Sequence, residues 1–171
     1  INADLNKLRI KQDNIKNGDS VLTTLINTDE SASLLKSFIN FGHRFSDKFS
    51  TNIGVYYQLF LLNNTQSIEP RWNIKYQIKN NQSLSFGAGL HSQTQPLEVY
   101  FYETRNSLGQ TTLTNKNLGF TKSAHGVLGY DISVSKHFRL KSELYGQYIY
   151  DAPVERISTA FNLLNAGADF G

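Results

Sequence analysis

The residues best suited to chemistry in this 171-residue chain are dispersed. His43, His91, His125 and His137 keep no metal-ligand spacing, and no metal residue is assigned. Cysteine is absent, which excludes disulfides, thiolate metal sites and thiol nucleophiles. Gly87 and Gly89 in FGAGLH imitate a phosphate cradle only superficially, because no strand-to-helix junction surrounds them. Glycines that relieve crowding in a strand explain them better. Glu69 and Asp131 have basic residues for neighbours, Arg71 and Lys75 along one stretch and Lys141 on another, so charge pairs that hold strand register take precedence over general acid and base work. No catalytic or cofactor-binding residue is assigned, no cofactor is implied, and the chain reads as a non-enzyme.

Two groups remain as candidates for ligand contact. In PLEVYFYETRNSLGQTTLTNKNLG, the side chains of Tyr100, Tyr102 and Arg105 combine flat stacking surfaces with a planar cation, a mixture suited to sugars, aromatic chelates or a partner protein. The plainer alternative is that Val99 to Tyr102 continue a hairpin. A basic set, Arg71, Lys75, Lys79, Arg139 and Lys141, is opposed by Glu69 and Glu143 and could attract an anionic ligand.

The elements that position these residues are long alternating strands. In IEPRWNIKYQIK, Ile68, Pro70, Trp72, Ile74, Tyr76 and Ile78 interleave with Glu69, Arg71, Asn73, Lys75, Gln77 and Lys79, so one face is apolar and the other ionic. FSTNIGVYYQLFLL and FRLKSELYGQYIYD repeat the pattern, with Phe49, Ile53, Val55 and Tyr57, then Phe138, Leu140, Leu144 and Tyr148, on the apolar side. LLKSFINFGHRF, SLSFGAGLHSQTQ and AHGVLGYDISVS complete about six strands. Several outrun the usual strand of five or six residues and match the roughly 9 to 11 that cross a bilayer at a tilt. Pro70, which cannot donate to a ladder, sits near one end of its strand, where the loss is tolerable.

The connections are sorted by length. Ser46–Lys48, Lys79–Gln82 and Ser135–His137 are tight turns; the intervening connections are mostly longer, for although Asn63 to Ser67 is brief, Pro96 to about Leu118, Ala152 to about Leu164, and residues 1 to about 33 read as long polar loops. Phe45, Phe49, Tyr76, Phe86, Tyr130 and Phe138 lie toward the short turns, and Tyr57, Trp72, Tyr148 and Tyr150 toward the long loops. Two aromatic girdles around an aliphatic band are what a bilayer selects. No apolar run is long enough for a membrane-spanning helix, but barrel strands escape that test. A net charge of +3 without a basic block argues against nucleic acid.

SIEPRWNIKYQIKNNQSLSFGAGLHSQTQPLEVYF, GYDISVSKHFRLKSELYGQYIYDAPVE and FNLLNAGADFG resemble the barrel of TonB-dependent receptors of the Bacteroidetes type. The resemblance implies an all-β fold: a segment of antiparallel transmembrane β-barrel, about six long strands and up to eight, with short periplasmic turns and long extracellular loops. Residues 1–33 would be mainly extracellular loop, 34–151 transmembrane strands, and 152–171 a loop and the start of a further strand. No plug domain is read, and the chain is expected to be an internal barrel fragment. Glu69, Arg71, Lys75, Arg139, Lys141 and Glu143 would face the lumen. The implied location is the outer membrane of a Gram-negative bacterium. Implied partners are outer-membrane lipid, the plug and remaining strands of the parent chain, the TonB complex, and an unidentified imported ligand. Competing readings are a complete eight-stranded barrel acting as adhesin or anchor, needing strands from LNKLRIKQ and STAFNLLN, and a soluble β-sandwich binding module.

Overall fold

The computed structural model describes residues 2–15 and 22–154, with side chains from Ile26 onward except Thr28. Among these residues nine strands and one short helix follow in order: β1 Asn2–Ile15, β2 Leu22–Arg44, β3 Phe49–Phe60, β4 Thr65–Lys79, β5 Gln82–Gln93, α1 Leu97–Tyr100, β6 Thr104–Arg105, β7 Thr111–Thr112, β8 Thr121–Ser133 and β9 Arg139–Tyr150. One seven-stranded antiparallel sheet holds all the long strands in the order β1-β2-β3-β4-β5-β8-β9. Neighbours in space are neighbours in the chain, apart from the insertion of α1, β6 and β7. The sheet is open, since β9 pairs only with β8 among the described residues.

Residues directly opposite in an antiparallel ladder share a face, so the registers show where each alternating set lands. Phe41, Ile53, Trp72, Ala88, Gly126 and Gly146 form one continuous row across six strands. The row below it is His43, Thr51, Ile74, Phe86, Leu128 and Leu144. All six apolar sets therefore fall on one face, and their large members, among them Ile39, Phe41, Ile53, Trp72, Phe86 and Leu144, stand exposed. The polar sets occupy the other face. Strands β3, β4, β5, β8 and β9 are each 12 to 15 residues long, enough to cross a bilayer obliquely.

Three expectations need correction. Residues 1–33 were expected to be mainly loop, but β1 and the first half of β2 form a long hairpin. β1 pairs with β2 from Leu22 to Lys36, whereas β3 pairs with it from Leu34 to Arg44. The hairpin thus projects past the end of β3. Of its described side chains Ile26, Ala32 and Leu34 are buried, and the polar residues between Ile26 and Ala32 break the alternation that marks the other strands. Trp72 is not at the long-loop rim either; it lies opposite Ile53, midway between Phe49 and Tyr57 along β3. The third correction concerns residues 94–120, which carry a folded cluster in place of an open loop. The proposed start of a strand within 152–171 lies largely outside the described residues.

The connections are only partly sorted: the β3–β4 turn, residues 61–64, is short, and the long connection among the described residues is the one between β5 and β8. Phe45–Lys48, Asn80–Asn81 and Val134–Phe138 make tight turns at one end. At the other end, buried Ile26, Ala32, Leu34, Phe60, Tyr100, Phe101 and Phe120 form the one hydrophobic core cluster given by the described residues. Leu34 and Phe60 are opposite each other in the ladder and belong to the polar set, so the segment after β5 folds inward over that face.

Candidate functional site

The polar face is concave. A cavity of about 650 Å³ is lined by residues of β2, β3, β4, β5, β8 and β9, including Asn40, Asn52, Tyr56, Arg71, Asn73, His125 and Glu143. Only a curved sheet can bring six strands around one space. Gly89 lets the wall come close: a Cβ there would stand 3.2 Å from Arg71 Cγ and 3.5 Å from His125 Cε1. Glycines at the floor of this face keep room for the long side chains above them.

Glu69 is the most enclosed ion on this side, with 1% of its surface exposed. The ladder between β4 and β5 ends at Arg71 opposite Gly89, beside Pro70, whose nitrogen has no proton to give. Beyond that point β4 pairs only with β3 and β5 only with β8, and the Glu69 carboxylate fills the opening. Its Oε1 accepts from the Ser92 backbone N–H at 3.0 Å, from the Ser92 hydroxyl and from the Gln58 amide. Oε2 accepts from Arg71 at 3.0 Å. A side chain thus completes what the backbone cannot, because buried donors must find an acceptor.

Arg71 joins this node to the cavity. Its guanidinium is 3.0 Å from His91 Nδ1 and lies over the Tyr56 ring, 5.1 Å from the centroid. The His91 and His125 rings stack at 4.3 Å. Toward the short turns, Arg139 pairs with Asp131 through both carboxylate oxygens, and Lys141 Nζ lies 2.6 Å from Glu143 Oε1. Glu69, Arg71, Lys75, Arg139, Lys141 and Glu143 all occupy the concave face by register, though Glu69 is shielded from the cavity itself. Among the described residues no cluster of three or more His, Asp or Glu side chains could hold a metal ion.

The loop candidates separate. Tyr100 is 1% exposed, its ring packs 5.0 Å from Phe60, and its hydroxyl accepts from the Gln95 N–H at 3.1 Å. It has no face left for a ligand, which corrects its reading as a stacking surface: Leu97–Tyr100 is a helical turn, and that turn directs the ring inward. Burial raises the Tyr100 phenol above the ordinary tyrosine range, partly offset by the hydrogen bond from Gln95. Tyr102 is half-buried beside the same cluster and Arg105 is exposed on the small β6–β7 hairpin. The three are not brought together into one site. Missed by sequence reasoning were Gln58, Ser92 and Gln95, whose amide and hydroxyl groups gave no signal without the register.

On the apolar face the one indole has a partner. Trp72 donates its indole N–H to Thr51 Oγ1 at 2.9 Å, and Thr51 passes its own proton to the Asn73 carbonyl at 3.0 Å. His43 is flanked by Phe41 and Phe45 rings at 6.2 and 4.5 Å. No protein-family profile, no curated protein and no solved structure matches the chain.

Proposed function

We propose that this chain is a section of the wall of an outer-membrane TonB-dependent receptor that imports siderophores, vitamins, glycans or similar bulky nutrients. The observation that carries the reading is the continuous exposed apolar face assembled from six strands, opposite a concave ionic one. Water penalises so large an apolar surface, whereas acyl chains accept it. Satisfaction of the Trp72 indole by Thr51 fits the same solvent, since a free donor in hydrocarbon costs several kcal/mol, on the order of a lost hydrogen bond in an apolar medium. In this reading the segment is passive. Outward residues match lipid, inward residues face plug and permeant, and the energy of the TonB complex is delivered elsewhere.

Trp72 is the sole tryptophan and lies midway up the apolar face, so it reports the solvent directly. With the chain reconstituted in vesicles, lipids brominated deep in the acyl chain should quench its fluorescence more than lipids brominated near the headgroup. Emission indifferent to every brominated lipid would overturn the wall reading. The transport role is read separately: excision of this segment from the parent gene should abolish barrel assembly and uptake together, and surviving uptake would refute it. The alternative eight-stranded barrel finds the first of its two further strands in β1, which contains LNKLRIKQ, while STAFNLLN lies outside the described residues.

A further inference from the structure

Charge is distributed unevenly along the strands. Between the row of Trp72 and the short turns, every described carboxylate is already held: Asp47 by Arg44 at 3.2 Å, Asp131 by Arg139, and Glu143 by Lys141 at 2.6 Å. Lys48, Lys79 and Lys136 stand in excess at the edge itself, all exposed, and Lys75 adds positive charge just above them. On the long-loop side of the same row, six carboxylates face five cations among the described side chains, so the excess belongs to one rim. The three lysines repeat with the turns. Lys48 closes the β2–β3 turn, Lys79 opens the β4–β5 turn and Lys136 lies in the β8–β9 turn. The Lys48 carbonyl accepts from the Gln77 N–H at 2.7 Å, and the Asn81 carbonyl from the Ser133 N–H at 2.9 Å, which fixes each turn against the next strand. Successive short turns are two strands apart in the sheet, about 10 Å, close to the Debye length of about 8 Å at physiological ionic strength, so their fields overlap.

The rings beside these lysines are the second observation. Phe45 and Phe49 bracket the turn that carries Lys48, their centroids 5.4 Å apart, and Phe138 follows Lys136 by two residues. Phe45 is 62% exposed and Phe138 58%. Each cation of the outer turns is therefore adjacent in the chain to an apolar ring that has no protein layer over it. A soluble anion would meet the ammonium groups and leave the rings in water. Acyl chains under a neutral headgroup would cover the rings and leave the excess charge unmatched. An anionic phospholipid answers both, with its phosphate at the turns and its tails along the rings.

We propose that the short-turn rim selects phospholipids with anionic headgroups, Lys48, Lys79 and Lys136 meeting the phosphates while Phe45, Phe49 and Phe138 lie against the upper acyl chains. The inference rests on the wall reading, which supplies the bilayer, and adds to it a headgroup preference confined to one rim. The test uses the chain reconstituted in phosphatidylcholine vesicles in which a fixed fraction of the lipid is replaced by phosphatidylglycerol or by phosphatidylcholine brominated at the same acyl position. Trp72 fluorescence then reports which lipid collects beside β4. Brominated phosphatidylglycerol should quench more strongly, corresponding to about fivefold tighter association at low salt, and the advantage should shrink toward parity at about 1 M sodium chloride. The triple variant Lys48→Gln, Lys79→Gln, Lys136→Gln should bring the two lipids to parity, whereas Arg105→Gln with Lys116→Gln, at the long-loop end, should leave the preference intact. Far-UV circular dichroism verifies the fold of each variant. Equal quenching by the two lipids in the folded parent chain, or a preference that survives the triple variant, overturns the inference. So does loss of the preference on adding inorganic phosphate or polyglutamate at an ionic strength where chloride preserves it, which would assign the lysines to a soluble anion. The two readings stay separable: equal quenching by both brominated lipids sinks only the headgroup preference, and quenching by neither sinks the wall and the preference with it.

Discussion

At the scale of single residues, the carboxylate of Glu69 does the work of a missing backbone ladder. It is enclosed, and four hydrogen bonds converge on it, from Gln58, Arg71 and both donors of Ser92. Removing it leaves the donors of a buried group unmatched, at about 1–3 kcal/mol for each that water cannot reach. Arg71 is exposed enough to recover water, so Glu69→Ala should lose about 2–4 kcal/mol in urea titrations of the micelle-folded chain. Glu69→Gln, which keeps an acceptor, should lose less. A stability for Glu69→Ala within about half a kcal/mol of the parent would show the node to be incidental. Tyr100 makes a second case. Its phenol is raised by burial, so its contribution is complete below the pKa of an unfolded tyrosine and is lost as pH climbs through the higher folded value. Ultraviolet titration should find one tyrosine ionising late, together with loosening of the cluster around Phe60 and Phe101, and Tyr100→Phe should abolish that late step. Tyr100→Ala, which opens a cavity in that cluster, should cost about 3–5 kcal/mol.

At the scale of elements, the two faces of one strand make opposite predictions from adjacent positions. Ile53 and Asn52 are neighbours in β3, the first on the apolar face and the second on the concave one. In a bilayer Ile53→Arg should cost about 2–4 kcal/mol near the midplane, whereas Asn52→Arg should be close to neutral. On a water-exposed surface both changes would fall within about half a kcal/mol. Equal, small effects in vesicles would therefore remove lipid from the account. The strands themselves were legible because period-two alternation is a local property, and every outward set read from Leu35 to Tyr150 shares one face in the ladder. The long-loop rim was not legible. Asn63, which clamps the Lys116 and Leu118 carbonyls at 3.0 and 2.8 Å, and Gln95, which binds Gly119 and Thr121, act across 24 to 55 residues of chain. Such pairings follow from where β3, β5 and β8 place their ends, and polar composition alone reads the same stretch as loop. Glu69 was legible as an inward residue with a basic neighbour, but not as a buried one, because the gap it fills exists only once Pro70 has ended the β4–β5 ladder.

At the scale of the whole molecule, the sheet has two margins within its apolar band that no described strand covers. β2 from Ser37 to Arg44 has β3 on one side and no described partner on the other, and among the described residues β9 pairs only with β8. Unpaired margins and an exposed apolar face both promote association in water. The isolated chain should therefore sediment as large, concentration-dependent aggregates in buffer and as a single species in micelles. A sharp unfolding transition independent of concentration and free of detergent would contradict this. Hydrogen exchange in micelles then distinguishes an open wall from a closed small barrel. In an antiparallel ladder, alternate N–H groups of a strand point to opposite neighbours. Along β9 of an open sheet, every second amide should exchange quickly while the intervening ones, bonded to β8, are protected; β3, β5 and β8, flanked on both sides through most of their lengths, should be protected at both sets. Uniform protection of β9 would mean that some strand has closed on it, and the eight-stranded reading would displace the wall.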